Sequence, residues 1–369
     1  RVICCWDDRH LAPAYALSPP PCRPRSYSGP KVRSNNEDGP GASSLWVSWN
    51  AHRRTDGLCA AWGVPLQVLR PTLPGALTGL ELPLRTLWLL GRARPRSLCG
   101  HNPSLALTTL AALCRPQFRY CLVVDAHNEG VRPFDRPYAI VRWLTRRLLK
   151  AADVTIVTND ALADDVRATG GYPVTLPDSL PAVPERTPAV RAGRNTADVA
   201  VIATYRRDEP IAAIMAAAAT MPDLRFAFTG PGHRYRDDST PVPPNVRLTG
   251  FLDDADYWQL LAQATVVCDL TLKPDCLVCG AYEALAVGKP MVLSDNPPTR
   301  ELFGPAAVLT GSSPEAIAAA LRAAVDERER LEAGARQLQA SFSTRWQTDA
   351  DAVWEDIEGR CVSGRRAAA

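Results

Sequence analysis

The sequence predicts an α/β protein built as two doubly wound, Rossmann-like domains that face each other across a cleft. Three observations carry this expectation. The chain has 369 residues, and one domain commonly accounts for roughly 150. From residue 45 onward, short apolar runs alternate with helix-forming stretches, the pattern of parallel sheets covered on both faces. The alternation breaks once, over the Pro- and Arg-rich stretch Ala182–Arg194, and then restarts. Open parallel sheets bind ligands beyond the carboxyl ends of their strands, so the space between two such sheets is the default site.

In the first half, Leu45–Trp49 reads as a strand, Thr55–Trp62 as a helix and Pro65–Leu69 as a strand. Leu82–Leu90 reads as a helix and Arg96–Cys99 as a short strand. Asn102-Pro103-Ser104 opens a helix to Leu113, with proline in the first turn, where its missing N–H costs nothing. Tyr120–Val124 is a buried strand ending at Asp125-Ala-His127-Asn128. Tyr138–Ala151 is a strongly amphipathic helix, Val154–Val157 a strand, and Asn159-Asp160 caps the next helix. Val174–Leu176 closes this half.

In the second half, strands are expected at Val199–Ala203, Arg225–Thr229, Val246–Thr249, Thr265–Asp269, Met291–Leu293 and Ala307–Leu309. Helices are expected at Pro210–Ala219, Asp256–Ala264 and Cys279–Val287, followed by two long ones from Pro314. Gly288 and Pro290 stop the Cys279 helix. The expected organisation is a disordered or non-native leader over 1–43, an N-terminal domain over 44–181, a linker over 182–196 and a C-terminal domain over 197–343. A C-terminal helix over 344–360 would pack back on the first domain, before a disordered tail over 361–369.

Composition excludes several classes. A formal charge of +3 is too small to imply nucleic acid as the main partner. Arginine pairs such as Arg53-Arg54 and Arg146-Arg147 read as solvated faces. The eleven cysteines show no framework spacing, and several, such as Cys121 and Cys268, lie in apolar runs as free buried thiols, which suggests a reducing cytosol. Cys276-Leu-Val-Cys279 has no second pair or histidine at metal spacing. Five histidines without a pair at ligand spacing argue against a metal. There is no Gly-x-Ser-x-Gly elbow and no phosphate-binding P-loop. No apolar window of about 18 residues is long enough to span a bilayer. A cytoplasmic protein is expected, with contact to the inner face of a membrane open through Leu82–Arg94 and its cations Arg85, Arg92 and Arg94.

The richest stretch is Asp275–Asp295. It sets two acids, Asp275 and Glu283, around the start of a small-residue helix and ends in a Gly-Lys-Pro turn before a strand. Amides at Cys279, Gly280 and Ala281 form a candidate anion site at a helix N-terminus. Glu283 could accept hydrogen bonds from ribose hydroxyls. Arg206, Arg207 and Lys273 fall in loops after strands and could clamp a diphosphate. Gly230-Pro-Gly232 follows another strand; two glycines there are more often just a turn. On the other side of the cleft, His127 follows a buried strand, where it either positions a hydroxyl and shares a proton or is a packed histidine. Asn50 and His52 occupy an equivalent loop, Asn128 follows His127, and His101-Asn102 is a third such place.

These residues together resemble retaining, nucleotide-sugar-dependent glycosyltransferases of the GT-B fold, bacterial group 1 or family four-like. The resemblance rests on Asp275 and Glu283 with seven residues between them, Cys279-Gly-Ala-Tyr-Glu-Ala-Leu-Ala-Val-Gly-Lys-Pro290, Asp208-Glu209-Pro210, Asn245–Gly250, Leu176-Pro-Asp178 and Asp125–Asn128. It covers roughly residues 45–360. It implies a nucleoside diphosphate sugar in the C-terminal domain and a glycan, lipid-linked or small acceptor in the N-terminal one. Glu283 would hold the ribose, Asp275 would face the sugar, and Arg206 or Arg207 with Lys273 would neutralise the departing diphosphate without a metal or other cofactor. His127, Asp275 and Glu283 are the candidate catalytic residues. The donor side is Arg206, Arg207, Lys273, Cys279, Gly280, Ala281 and Gly230; the acceptor side is Asn50, His52 and Asn128. The first acid is aspartate where the family usually has glutamate. A sugar-nucleotide epimerase, a phosphorylase or a non-catalytic sugar- or nucleotide-binding protein of the same fold stays open.

Overall fold

The computed structural model describes residues 44–73, 77–102, 104–133, 138–184, 197–235 and 241–368. The expected leader over 1–43 and the linker from 185 to 196 lie outside the described residues.

Two six-stranded sheets form, and every pairing in them is parallel. The first contains β1 (Ser44–Ser48), β2 (Leu66–Val68), β3 (Ser97–Asn102), β4 (Cys121–Ala126), β5 (Val154–Val157) and β6 (Pro173–Thr175), in the order β2-β1-β3-β4-β5-β6. The second contains β7 (Val199–Val201), β8 (Phe226–Thr229), β9 (Val246–Gly250), β10 (Val266–Asp269), β11 (Met291–Ser294) and β12 (Ala307–Thr310), in the order β12-β11-β10-β7-β8-β9. All five residues of β1, all six of β4 and all four of β10 are buried. That is why these strands read as continuous apolar runs rather than as alternating patterns. The strand order reverses between β1 and β3 in the first sheet and between β7 and β10 in the second. Both reversals are switch points, where the loops splay apart and leave room for a ligand.

Helices α1 (Arg53–Trp62), α2 (Thr78–Ala93), α3 (Leu105–Phe118), α4 (Asn128–Val131), α5 (Ala139–Ala151) and α6 (Asp160–Ala168) accompany the first sheet. Helices α7 (Ile211–Ala219), α8 (Asp254–Gln263), α9 (Cys279–Ala286), α10 (Pro297–Phe303) and α11 (Pro314–Asp326) accompany the second. Caps behave as the sequence suggests: Asn159 accepts from the Leu162 amide at 3.1 Å. Strand β3 runs three residues past its expected end, to Asn102, so His101 sits within the strand rather than after it. Pairing with Asp125 of β4 extends it.

The last helix, α12 (Arg328–Ala368), has 41 residues. It leaves the C-terminal domain, where Gln339 Nε2 donates to the Ala286 carbonyl at 2.7 Å, and crosses to the N-terminal one. There Trp346 Nε1 donates to Pro177 O, Ala350 O accepts from Trp62 Nε1, and the Trp62 and Trp354 rings stack 4.9 Å apart. Gly334 allows the start of this crossing, because a β-carbon there would lie 2.0 Å from Pro305 O. The tail expected to be disordered from 361 is helical through Ala368, and Cys361 is bonded to Cys121 on β4. Cys121 is therefore not the free thiol its apolar run suggested. The pair is separated by 240 residues, so nothing local signals it, and such a cross-link stabilises mainly by restricting the unfolded chain. Cys268 is free and buried, as expected.

Candidate functional site

The two switch points meet across one cleft, and side chains from both domains close on one another. On the C-terminal side, the loop after β7 supplies Arg206, Asp208 and Glu209, and the loop after β10 supplies Lys273 and Asp275. The Lys273 ammonium lies 2.9 Å from Asp208 Oδ2 and 3.0 Å from Glu129 Oε1 of α4. Burial opposes its charge, but the two carboxylates outweigh that and hold its pKa above the ordinary lysine value. Arg206 Nε is 3.9 Å from Asp208 Oδ1, whereas Arg207 points to solvent. Glu209 accepts from the Thr204 and Tyr205 amides, both at 2.8 Å, and so folds the loop back on itself.

Asp275 adopts φ 52°, a left-handed conformation unusual outside glycine. Its Oδ2 accepts from Arg132 Nη1 at 2.6 Å, and its carbonyl accepts from Asn159 Nδ2 at 2.9 Å. Both partners belong to the N-terminal domain. The adjoining Pro274 carbonyl accepts from Asn128 Nδ2 at 3.0 Å.

Helix α9 carries Cys279, Gly280 and Ala281, expected on the donor side, and Glu283. The Gly280 amide donates to Asp269 Oδ2 at 2.9 Å, and the Ala281 amide to the Val278 carbonyl. Two of the three amides expected to form an anion site are thus engaged within the protein. Gly280 is required by packing: a β-carbon would fall 2.3 Å from the Asp269 carboxylate and 2.6 Å from Ile202. Burial, then the nearby Glu209, push the Asp269 pKa well above the carboxylate range, against the Gly280 hydrogen bond that lowers it. Glu283, one turn along, is buried. Its Oε1 accepts from Arg53 Nη2 at 2.8 Å, and its other oxygen from the Tyr257 hydroxyl. Burial raises its pKa. Gly230, at φ 81°, lets β8 pass the end of β7, since a β-carbon would lie 1.9 Å from Ala203 O.

On the N-terminal side, His52 after β1, His101 in β3 and His127 after β4 converge. Their ring centroids are 4.6, 4.7 and 4.9 Å apart. Asn50 sits apart on an exposed bend. Behind the histidines lies Asp125, whose Oδ1 accepts from Arg54 Nε at 2.8 Å. Arg54 Nη1 also donates to Asp178 Oδ1 at 2.7 Å. Burial alone would raise the Asp125 pKa; the Arg54 charge and the flanking imidazoles override it and hold the group well below the usual carboxylate range. Burial, then the neighbouring imidazoles, lower the His52 pKa well below its ordinary value.

Sequence reasoning placed His127, His52, Asn128, Lys273, Asp275 and Glu283 at this interface, and the structure brings them together. It missed Arg53, Arg54, Arg132, Glu129 and Tyr257. Arg53-Arg54, expected on a solvated face, is half-buried and fully buried respectively. The pair follows a strand's carboxyl end, and that position was the available signal.

A family model described as a glycosyl transferase 4-like domain matches residues 30–177, and one described as glycosyl transferase-like matches residues 206–353. No curated protein matches the chain. Among solved structures, sucrose-phosphate synthase from Thermosynechococcus elongatus superposes with a TM-score of 0.69 at 15% identity, over 89% of this chain and 100% of that one. HepE of Anabaena, in complex with UDP and glucose, gives 0.64 at 17% identity, over 85% and 91%. The same protein in complex with UDP-glucose gives 0.62, also at 17%, over 86% and 91%. The paired sheets, the site between them and the two family models, one on each half, agree: the chain belongs to the glycosyltransferases of the GT-B fold.

Proposed function

We propose that the protein transfers a sugar, with retention of configuration, from a nucleoside diphosphate sugar on the C-terminal side to an acceptor on the N-terminal side. The observation that carries this reading is Lys273. It is a cation held at the second sheet's switch point, where it shares Asp208 with Arg206. A departing diphosphate needs its growing charge met by fixed cations, a contribution that is usually large. Glu129 lies on the opposite domain, so cleft opening would release Lys273 toward the donor. The complexes of HepE with UDP and UDP-glucose support a donor of this class. In a thermal-shift screen, a matching nucleoside diphosphate at about a hundred times its dissociation constant should stabilise the fold by roughly 2.7 kcal/mol. If no nucleoside diphosphate shifts the melting temperature, the donor reading fails. Product stereochemistry by NMR tests retention.

A second reading, a non-catalytic nucleotide- or sugar-binding protein, is favoured by the engagement of Asp275 with Arg132 and of Glu283 with Arg53 and Tyr257. Nucleotide binding without any turnover would select it.

The acceptor we propose is anionic and lipid-linked. A cavity of about 820 Å³ next to Asn128 and Pro274 is lined by Arg132, Arg142, Arg146 and Lys150 with Trp143. Its walls come from α4, α5 and α6; α5 packs on α3 and α3 on α2, and these three helices expose Leu80, Leu84, Trp88, Leu113, Ile140 and Trp143. An apolar face rimmed by cations suits the surface of an anionic bilayer. No helix among the described residues is long and apolar enough to cross a membrane, and peripheral contact with an anionic membrane surface is the proposed mode. Co-sedimentation with anionic vesicles should be strong at low salt and weaken as salt rises. Equal binding to zwitterionic vesicles, or none at low salt, would end the proposal.

A further inference from the structure

The three histidines at the first switch point fit a use that donor binding does not assign. We propose that His52, His101 and His127 bind one divalent metal ion, zinc by donor chemistry, with one coordination position left toward the cleft. The inference stands apart from the nucleotide reading, because no donor-side residue takes part in it.

One nitrogen from each imidazole lies within 4.8 Å of the other two. Nitrogens around a tetrahedral zinc ion are roughly 3.3 Å apart, given Zn–N bonds of about 2.0–2.1 Å. Each pair therefore needs to close by no more than roughly 1.5 Å. Of the buried polar atoms at this spot, His52 Nδ1 has no hydrogen-bond partner, and His101 Nδ1 and His127 Nε2 face only Asp125 Oδ2, at the edge of hydrogen-bond range. Folded proteins rarely leave a buried polar atom such as His52 Nδ1 unmatched.

The surroundings suit a cation. Asp125 Oδ2 is 3.5 Å from His101 Nδ1 and 3.6 Å from His127 Nε2, long for hydrogen bonds but placed as a carboxylate supporting ligating imidazoles. Arg54 is shared by Asp125 and Asp178, so this buried group carries a net charge of about −1 before any metal arrives. Three imidazoles without thiolate select zinc or a neighbouring first-row metal over magnesium or calcium, and three protein ligands leave a position open. That position faces the partner domain, since Arg53 and Asn128, next to His52 and His127, both contact it. An acceptor oxygen, hydroxyl or phosphate, is the ligand of the right chemistry for it.

The test uses the full chain, stripped with a chelator and dialysed against micromolar Zn²⁺, with bound metal measured by elemental analysis. About one equivalent per chain is expected. Co²⁺ in its place should give the intense visible absorption of a tetrahedral site. His127→Ala, whose side chain is 22% exposed, and His101→Ala should each abolish stoichiometric binding. Circular-dichroism melts report whether each variant folds; if His101→Ala does not, His127→Ala decides. The double variant Cys276→Ser/Cys279→Ser should keep the metal. No stoichiometric uptake would mean three neutral imidazoles packed edge to face and would overturn the proposal. So would uptake unchanged in folded His127→Ala, or lost only in the cysteine variant. None of these outcomes alters the nucleotide thermal shift, so the two readings fail separately.

Discussion

Replacing Arg54 with leucine should destabilise the fold by about 3–5 kcal/mol, the cost of breaking a buried ion pair from one side. The side chains of Arg54 and Asp125 are 1% and 0% exposed, so neither water nor salt can compensate. Arg54 joins β4 through Asp125 to the domain junction through Asp178, and its removal strands both carboxylates. The pH dependence gives the sign. In the native protein the Asp125 pKa is depressed, so its contribution is fully present above the unfolded value of about 3.9 and is lost as pH falls through the lower folded value. In the leucine variant no guanidinium opposes desolvation, so the folded pKa rises. The deficit should then be largest near neutral pH and shrink toward pH 4, where a proton removes the stranded charge. Chemical denaturation of both proteins at pH 7 and pH 4.5 measures this. A deficit that grows on acidification would show that Asp125 is not the buried partner in question.

Lys273→Met should lower kcat by about 10²–10³-fold, the range for removing one preorganised group that meets developing charge. The loss should appear in kcat more than in KM, because the diphosphate charge grows as the sugar departs. The substitution also leaves Asp208 and Glu129 facing each other without a cation, which should loosen the cleft. Melting temperature and UDP or GDP affinity, measured alongside turnover, separate the two effects. Arg206→Ala should cost less, since Arg206 is more exposed than Lys273 and lies 3.9 Å from Asp208. Undiminished turnover in folded Lys273→Met would remove lysine from the leaving-group role.

Much of the fold was legible because its signals are local. A continuous apolar run marks a strand buried on both faces, and β4, β7 and β10 read correctly for that reason. The two-domain, doubly wound class followed from the alternation of such runs with helices, interrupted once at the junction. That Asp275, Gly280 and Glu283 lie together at the domain interface was legible because they sit within one loop and one helix. Gly280 shows the physical basis: only a residue without a β-carbon fits beside Asp269 and Ile202.

The rest depended on partners far away in the chain. Arg53-Arg54 carries the composition of a solvated pair, yet Glu283, Asp125 and Asp178 draw it into the interface. Cys121 has the neighbours of a free thiol, and its partner lies 240 residues on. His52, His101 and His127 share no ligand spacing, because each belongs to a different strand end. The sequence by itself determined most of the strands and helices, the two doubly wound halves and which helix presents Glu283, since these follow from hydrophobic period and steric need. Only the tertiary structure decided which charges pair, which cysteine is bonded and which histidines converge. Parallel sheets bring the ends of sequence-distant strands side by side, and no local pattern records that neighbourhood.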